Sequence, residues 1–261
     1  MGCKNTTPAA SGTVLENYVA AGLPHPSYSE YDNDFERQIF MAINLCRHNP
    51  KSFVPHVRAV YKDHVLLRNG AGKKMNVLIA KLNAQAQLRV VKFDGQVTEA
   101  VRQNNQAVVN ANEDRPTKGG NIAKYSELSG TDKVKSCYEF TMPQYEGDSG
   151  YEFVSLQLAL DFENFDGASK APVKTAASAA PAGNAMDAGG PAPDKGEQAE
   201  PVAAEEKKQA AQDTTQTIAK GDYSPILDET VELVGISNKA HKKCRNVIQV
   251  LYAKIEGNSF M

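Results

Sequence analysis

A long segment in the second half of the chain lacks the apolar residues that a folded core needs. Residues 166–221 consist mainly of Ala, Pro, Gly, Lys, Glu, Gln and Thr. Such a segment cannot bury enough surface to offset the conformational entropy that it loses on ordering. We therefore predict that 166–221 is a disordered insert. The stretches on either side of it, 30–165 and 222–258, are predicted to be the two parts of one domain.

The first part is dominated by helical periodicity. Apolar residues recur at helical spacing near 33–48, 52–61, 73–85, 95–111 and 151–163. Asn33, with Glu36 three residues on, is predicted to cap the first of these helices, and Asp94 is predicted to cap the fourth. Asn104 falls on the apolar face of the fourth helix, together with Ala107. A buried amide needs partners, so Asn104 is either a satisfied core amide or the floor of a pocket.

Strand-like stretches occur on both sides of the insert. We predict strands over Val134–Phe140, Thr230–Ser237 and Asn246–Ile255, with a basic turn over Asn238–Lys243. The last of these strands is apolar on both faces, as a central strand covered on both sides is. Helices followed by a closing hairpin predict an α+β fold, a three-layer α-β-α sandwich with a mostly antiparallel central sheet.

The amino terminus carries a lipidation pattern. Residues 1–6, Met-Gly-Cys-Lys-Asn-Thr, fit the M-G-x-x-x-[ST] signature of myristoylation at Gly2. One myristoyl chain binds membranes only marginally, with an association constant on the order of 10⁴ M⁻¹, so a second signal is needed. Lys4 is the only Lys or Arg before Arg37, which leaves palmitoylation of Cys3 as that signal. Residues 1–29 are accordingly predicted to be a flexible lipidated leader.

Targeting segments, cysteine spacing and net charge indicate where the protein resides and which partners it could bind. The leader lacks the apolar core of a secretory signal peptide, and no stretch approaches the roughly 20 apolar residues that span a bilayer. The four cysteines show no metal-ligand or disulfide-scaffold spacing. A net charge of −2 does not favour nucleic acid. The sequence predicts a protein held at the cytoplasmic face of a membrane through its acyl chains.

Three blocks of residues stand out within the predicted domain. Residues 43–53 read Ile-Asn-Leu-Cys-Arg-His-Asn-Pro-Lys-Ser-Phe, and 154–161 read Val-Ser-Leu-Gln-Leu-Ala-Leu-Asp. The third block comprises Val234-Gly235-Ile236, His241-Lys242-Lys243 and residues 247–252. In order and spacing they resemble the CAP superfamily (cysteine-rich secretory proteins, antigen 5 and pathogenesis-related 1, or SCP domains), in particular its microbial and protist branch. The resemblance implies a three-layer α-β-α sandwich.

The chain departs from the family at its metal site. Family members that bind a divalent metal use two histidines and two acidic residues in a central cleft. The resemblance places those histidines closest to Asn104 and Leu233, and the glutamate of one acidic segment near Lys135 or Ser136. The insert replaces the family's R-G-H-R segment. Since neither Leu nor Lys substitutes for imidazole or carboxylate ligands, we expect a degenerate cleft with no metal, cofactor or catalytic residue.

These inferences predict a membrane-tethered, non-enzymatic CAP-like binding or scaffold domain. The insert is a candidate contact for a protein partner. A basic run at the closing hairpin is a candidate contact for anionic lipid headgroups, or simply a solvated turn; it comprises Lys239, His241, Lys242, Lys243 and Arg245. A lipid or sterol carrier is the alternative function, followed by a metal-dependent hydrolase.

Overall fold

A four-stranded sheet lies at the centre of the computed structural model, which describes residues 12–68, 74–113, 134–164 and 224–255. Its strands are β1 (Lys92–Phe93), β2 (Val134–Pro143), β3 (Leu233–His241) and β4 (Arg245–Ile255), in the spatial order β1-β3-β4-β2. β1 pairs with β3 in parallel, and the other two pairings are antiparallel. β4 is central and largely buried on both faces, as predicted. Strands from before and after the insert therefore share one sheet.

Seven α-helices surround the sheet in the described part of the chain. They are α1 (Val14–Ala20), α2 (Asp34–His48), α3 (Val54–Asp63), α4 (Val65–Arg68), α5 (Met75–Ala84), α6 (Gly95–Ala111) and α7 (Gly150–Asn164). The predicted caps are confirmed: Oδ1 of Asn33 accepts from the amide of Glu36 at 2.9 Å, and Oδ1 of Asp94 accepts from the amide of Val97 at 2.8 Å. These caps satisfy N–H groups that the first turn of a helix leaves without partners.

The sheet is covered by helices on both faces. Ile248, Val250 and Tyr252 of β4 share a buried cluster with residues of α2 and α7. The alternate residues Leu251 and Ala253 pack with residues of α6 on the other face. This alternation follows from the period of two in a strand. The α+β class and the three-layer sandwich with a mostly antiparallel sheet are confirmed. α3 packs against α7 and α5.

The leader contains a helix that the sequence analysis missed. The hydroxyl of Thr13 accepts from the amide of Glu16, whose carboxylate accepts from the amide of Thr13, and this capping box starts α1. Tyr18 is only 1% exposed and donates its hydroxyl hydrogen to the carbonyl of Pro24. The prediction of a flexible leader over 1–29 is therefore wrong from residue 12 onwards. Residues 1–11, with Gly2 and Cys3, lie outside the described residues.

The closing hairpin is longer than predicted. β3 continues to His241 and β4 begins at Arg245, so the turn comprises only the three residues 242–244, and the turn predicted over Asn238–Lys243 is wrong in its extent. The amide of Asn238 donates to Oε1 of Glu36 in α2 at 2.7 Å. This tertiary partner supports strand backbone where local sequence favours a turn.

Two further predictions fall on other parts of the chain. The insert over 166–221 lies outside the described residues. All described residues belong to one compact unit, which comprises 1–168 and 216–261. The predicted division into 30–165 and 222–258 therefore describes one domain formed by two parts of the chain.

Candidate functional site

Asn104 lies on the face of α6 that packs against the sheet, and its side chain is 4% exposed. Its Nδ2 donates to Oε1 of Gln249 at 3.0 Å. The neighbouring Asn105 is fully buried, and its Nδ2 donates to the carbonyl oxygens of Ser237 (3.1 Å) and Val247 (2.9 Å). These bonds join α6 to β3 and β4. Asn104 is therefore a core amide, the first of the two alternatives that the sequence left open.

Leu233 lies at the beginning of β3, opposite Ala253, and belongs to the apolar cluster on the α6 side. Gln249, the partner of Asn104, lies opposite Ser237. Ser237 lies four positions after Leu233 in β3, which is about 13 Å along the strand. The two predicted cleft positions therefore lie at different points along the sheet.

Ala107, which was predicted on the buried face of α6, is exposed, so that prediction is wrong.

The absence of a side chain at Gly235 allows α6 to pack closely against β3. A Cβ atom at this position would lie 2.9 Å from the backbone nitrogen of Thr98. The Val234-Gly235-Ile236 block thus has a packing reason for its glycine, because a side chain there would push the helix away from the strand.

Three of the histidines contact other residues of the protein. The ring of His56 stacks on that of Tyr151 at a centroid distance of 4.4 Å. Nδ1 of His64 accepts from the amide of Leu66, and Nδ1 of His48 contacts Nε2 of Gln87. Within residues 12–68, 74–113, 134–164 and 224–255, no group of three or more His, Cys, Asp or Glu side chains could hold a metal ion.

The basic run lies at the hairpin end, but its side chains differ in accessibility. His241 is 5% exposed, and its Nδ1 accepts from the amides of Lys243 and Cys244, both at 3.1 Å. The buried ring therefore stabilises the backbone of the turn through these two hydrogen bonds. The inclusion of His241 in an exposed lipid contact is wrong for this reason.

The remaining cations of the run have partners of different kinds. Nζ of Lys239 lies 2.9 Å from Oδ2 of Asp32, and a guanidinium nitrogen of Arg245 lies 3.8 Å from a carboxylate oxygen of Glu146. Nζ of Lys243 donates to the carbonyl of Asn112, and Lys242 is exposed. The structure thus brings the run together, with acidic side chains facing two of its members.

A buried carboxyl group was not anticipated from the sequence. Oδ1 of Asp161 in α7 accepts from the hydroxyl of Tyr138 at 2.8 Å, and its Oδ2 accepts from the hydroxyl of Ser224 at 2.6 Å. Burial raises the pKa of Asp161 to about 7, while the donated hydrogen bonds oppose that rise. A carboxyl group that titrates near neutral pH is often a general acid or base. Here its oxygens are occupied by protein donors in the interior, so it joins α7, β2 and the segment that begins at Ser224.

Arg47 is another buried ionisable group of the fold. It is fully buried, and its guanidinium donates to the carbonyl oxygens of Arg89, Ile226, Asp228 and Val231 at 2.7 to 3.2 Å. Burial lowers the pKa of Arg47. The five donors of a guanidinium suit such a set of carbonyls. This side chain fixes the segment before β3 onto the end of α2.

A shallow open cleft of about 350 Å³ lies beside β1 and is lined by Arg89, Val90, Lys92 and Glu232. Two cations and one carboxylate contribute to its lining. None of these residues was among the predicted site residues, because their proximity depends on the pairing of β1 with the start of β3.

The blocks that carry the family resemblance occupy the core of the fold. The first covers the end of α2 and the turn after it, the second lies within α7, and the third forms β3 and β4. No family model matches this chain, and no curated protein or solved structure matches it either. Among the described residues, no helix has both the length and the apolar character needed to cross a membrane.

Proposed function

We propose that this protein is a lipid-anchored, non-enzymatic binding or scaffold domain with a CAP-like fold, held at the cytosolic face of a membrane. The observation that carries the proposal is the acylation pattern at Gly2 and Cys3, nine to ten positions ahead of Gly12, where the described chain begins. Two acyl chains supply the stable attachment that one does not.

The interior of the fold supports binding rather than chemistry. The two positions that the resemblance assigns to imidazole ligands, Asn104 and Leu233, are used to pack α6 on the sheet. Asp161, whose pKa burial raises to about 7, has both oxygens occupied by hydroxyl donors of the protein. A general base must reach a substrate proton, and these contacts leave it no such access.

The carrier alternative has less support. A sterol or fatty-acid site encloses most of its ligand. The cleft beside β1 is open and has a volume of only about 350 Å³, so it would leave much of such a ligand in water. Lipid that co-purifies with the protein in mass spectrometry would favour the carrier, and firmly bound stoichiometric zinc would favour the hydrolase. Loss of labelled neighbours after deletion of 166–221 would favour a scaffold that acts through the insert.

Cell fractionation tests the anchor directly. The full chain with a carboxyl-terminal tag is compared with its Gly2→Ala and Cys3→Ser variants, and Lys4→Ala serves as a control that leaves both acylation sites intact. We expect the parent and Lys4→Ala in the membrane fraction, Gly2→Ala in the soluble fraction, and Cys3→Ser distributed between the two. Membrane recovery of Gly2→Ala equal to that of the parent contradicts the proposal.

A further inference from the structure

Positive charge is concentrated in one part of this weakly acidic chain. Residues 37–93 hold eleven of the 29 Lys and Arg residues but only one of the 31 acidic residues, Asp63. This stretch forms nearly all of α2, all of α3, α4 and α5, and β1. Since the whole chain has a net charge of −2, the stretch is a basic region on an otherwise acidic protein. Such a separation of charge attracts an anionic partner to one side of a molecule.

Five of these eleven cations lie on α3 and α5 or just before them. Arg58 and Lys62 are exposed and four residues apart, so they share one side of α3, while Val57, Val60 and Tyr61 are buried. Lys51, in the turn before α3, is also exposed. On α5 and just before it, Lys81 and Lys74 are half-buried. We use the name basic face for the exposed and half-buried residues of these helices, namely Lys51, Arg58, Lys62, Lys74, Lys81, Val65, Leu66 and Val77.

The basic face also carries exposed aliphatic side chains. Val65 is 64% exposed, and Leu66 and Val77 are each 49% exposed. Val65 and Leu66 follow α3 almost directly, and Val77 lies on α5, which packs against α3. Cations beside protruding aliphatic side chains match the interfacial zone of an anionic bilayer, in which apolar groups enter the acyl boundary and cations remain among the headgroups.

Among the described residues, three carboxylates lie near the basic face. Asp63 is exposed at the end of α3. Glu163 accepts from the hydroxyl of Tyr61 and the amide of Lys74, and Glu152 faces His64. The five cations of the face therefore outnumber these three described carboxylates.

The start of the described chain is close to α3. Nδ2 of Asn17 donates both to the carbonyl of Gly12 (3.1 Å) and to the hydroxyl of Tyr151 (2.9 Å), whose ring stacks on His56 of α3. The ten residues from Gly2 to Gly12 span at most about 35 Å when extended. Acyl chains at the amino terminus and the basic face are thus able to contact the same membrane.

We propose that the basic face is the surface with which this protein lies on an anionic bilayer. The inference deepens the proposed function, on which it rests, by naming the contact surface and the class of lipid. It names a different surface from the contact predicted at the hairpin end. Nucleic acid is less favoured, because single-strand sites combine cations with aromatic stacking platforms and the exposed large apolar residues here are aliphatic.

Vesicle binding by the unacylated full chain, purified from bacteria, tests the inference separately from the anchor. Sedimentation is measured with phosphatidylcholine vesicles and with vesicles that also contain about 30% phosphatidylserine. We expect binding to the anionic vesicles only, weakening as salt is added. Arg58→Glu/Lys62→Glu is expected to weaken it by about tenfold or more. Val65→Ser/Leu66→Ser should weaken it without changing its salt dependence.

The matched control is Lys242→Glu/Arg245→Glu, which makes the same change in net charge at the hairpin end and should bind as the parent does. All six altered side chains are exposed, and thermal unfolding verifies that each variant folds. Equal losses in the two charge-reversal variants, loss in the hairpin variant alone, or binding to a nucleic-acid oligonucleotide but not to anionic vesicles would overturn the inference. Failure of acylation at Gly2 in cells would instead overturn the proposed function and leave this vesicle result unchanged.

Discussion

The hydroxyl of Ser224 donates a 2.6 Å hydrogen bond to Oδ2 of Asp161, a residue that precedes it by 63 positions. Asp161 lies in the last turn of α7, and Ser224 is the first described residue after the insert. The chain therefore leaves the fold and returns to it at one place. An insertion with adjacent ends is compatible with an unchanged domain.

Replacement of 166–221 by a short Gly-Ser linker should therefore leave the fold intact. Because a shorter loop loses less entropy on closure, we expect the free energy of unfolding to stay equal or rise by about 1–2 kcal/mol. Thermal and urea unfolding of the two proteins measure this change. A deletion variant that is unfolded, or several kcal/mol less stable, would show that the segment contributes to the core.

Asp161 should make stability fall as the pH rises. Its pKa in the folded protein is about 7, against an ordinary value of 3.8, so the folded state keeps a proton that the unfolded state has lost. The contribution of this group is fully present below about pH 4 and is lost as the pH rises through 7. Between pH 5 and pH 8, we expect the parent to lose about 2 kcal/mol more than Asp161→Asn. Urea unfolding of both proteins at the two pH values provides the comparison, and parallel pH dependences would contradict it.

Arg47 should contribute strongly to stability. In Arg47→Met the buried carbonyls of Ile226, Asp228 and Val231 lose their donor, and each unsatisfied buried group costs about 1–3 kcal/mol. We expect a total loss of about 3–5 kcal/mol in the free energy of unfolding. Asn83→Ala, an exposed substitution on α5, should change it by less than about 0.5 kcal/mol. Similar stabilities for the two variants would refute the role given to Arg47.

The buried side-chain amides of α6 should stabilise the packing of this helix on the sheet. Asn105→Ala removes donors to the carbonyls of Ser237 and Val247 and should destabilise the protein by about 2 kcal/mol. Asn110→Ala makes the same substitution at an exposed position of the same helix and should be near neutral. Chemical denaturation separates the two, and a neutral Asn105→Ala would mean that these amides are free for another role.

Patterns within short stretches of the sequence were sufficient to predict much of this fold. Asn33 and Asp94 cap their helices as predicted, because a capping bond depends on residues three positions apart. The central position of β4 followed from its apolar residues on both faces. α1 was missed although Thr13 and Glu16 form a capping box that is visible in the sequence, because its apolar pattern covers only seven residues.

The sites that were missed depend on contacts between distant parts of the chain. Arg47 reads as an ordinary helical cation, and its carbonyl partner on Ile226 lies 179 residues away. Asp161 ends an apolar helix pattern, and only the hydroxyls of Tyr138 and Ser224 show that its carboxyl group is buried. Likewise, the amide of Asn238 bonds to Glu36, 202 residues away, and this contact extends β3 through the predicted turn.

The most direct test of the account is the intact mass of the amino-terminal peptide of the protein isolated from its native cells. We expect loss of Met1, a myristoyl group on Gly2, and a second, hydroxylamine-sensitive acyl group on Cys3. A peptide that carries neither acyl group would contradict the proposal that lipids hold this domain at a membrane.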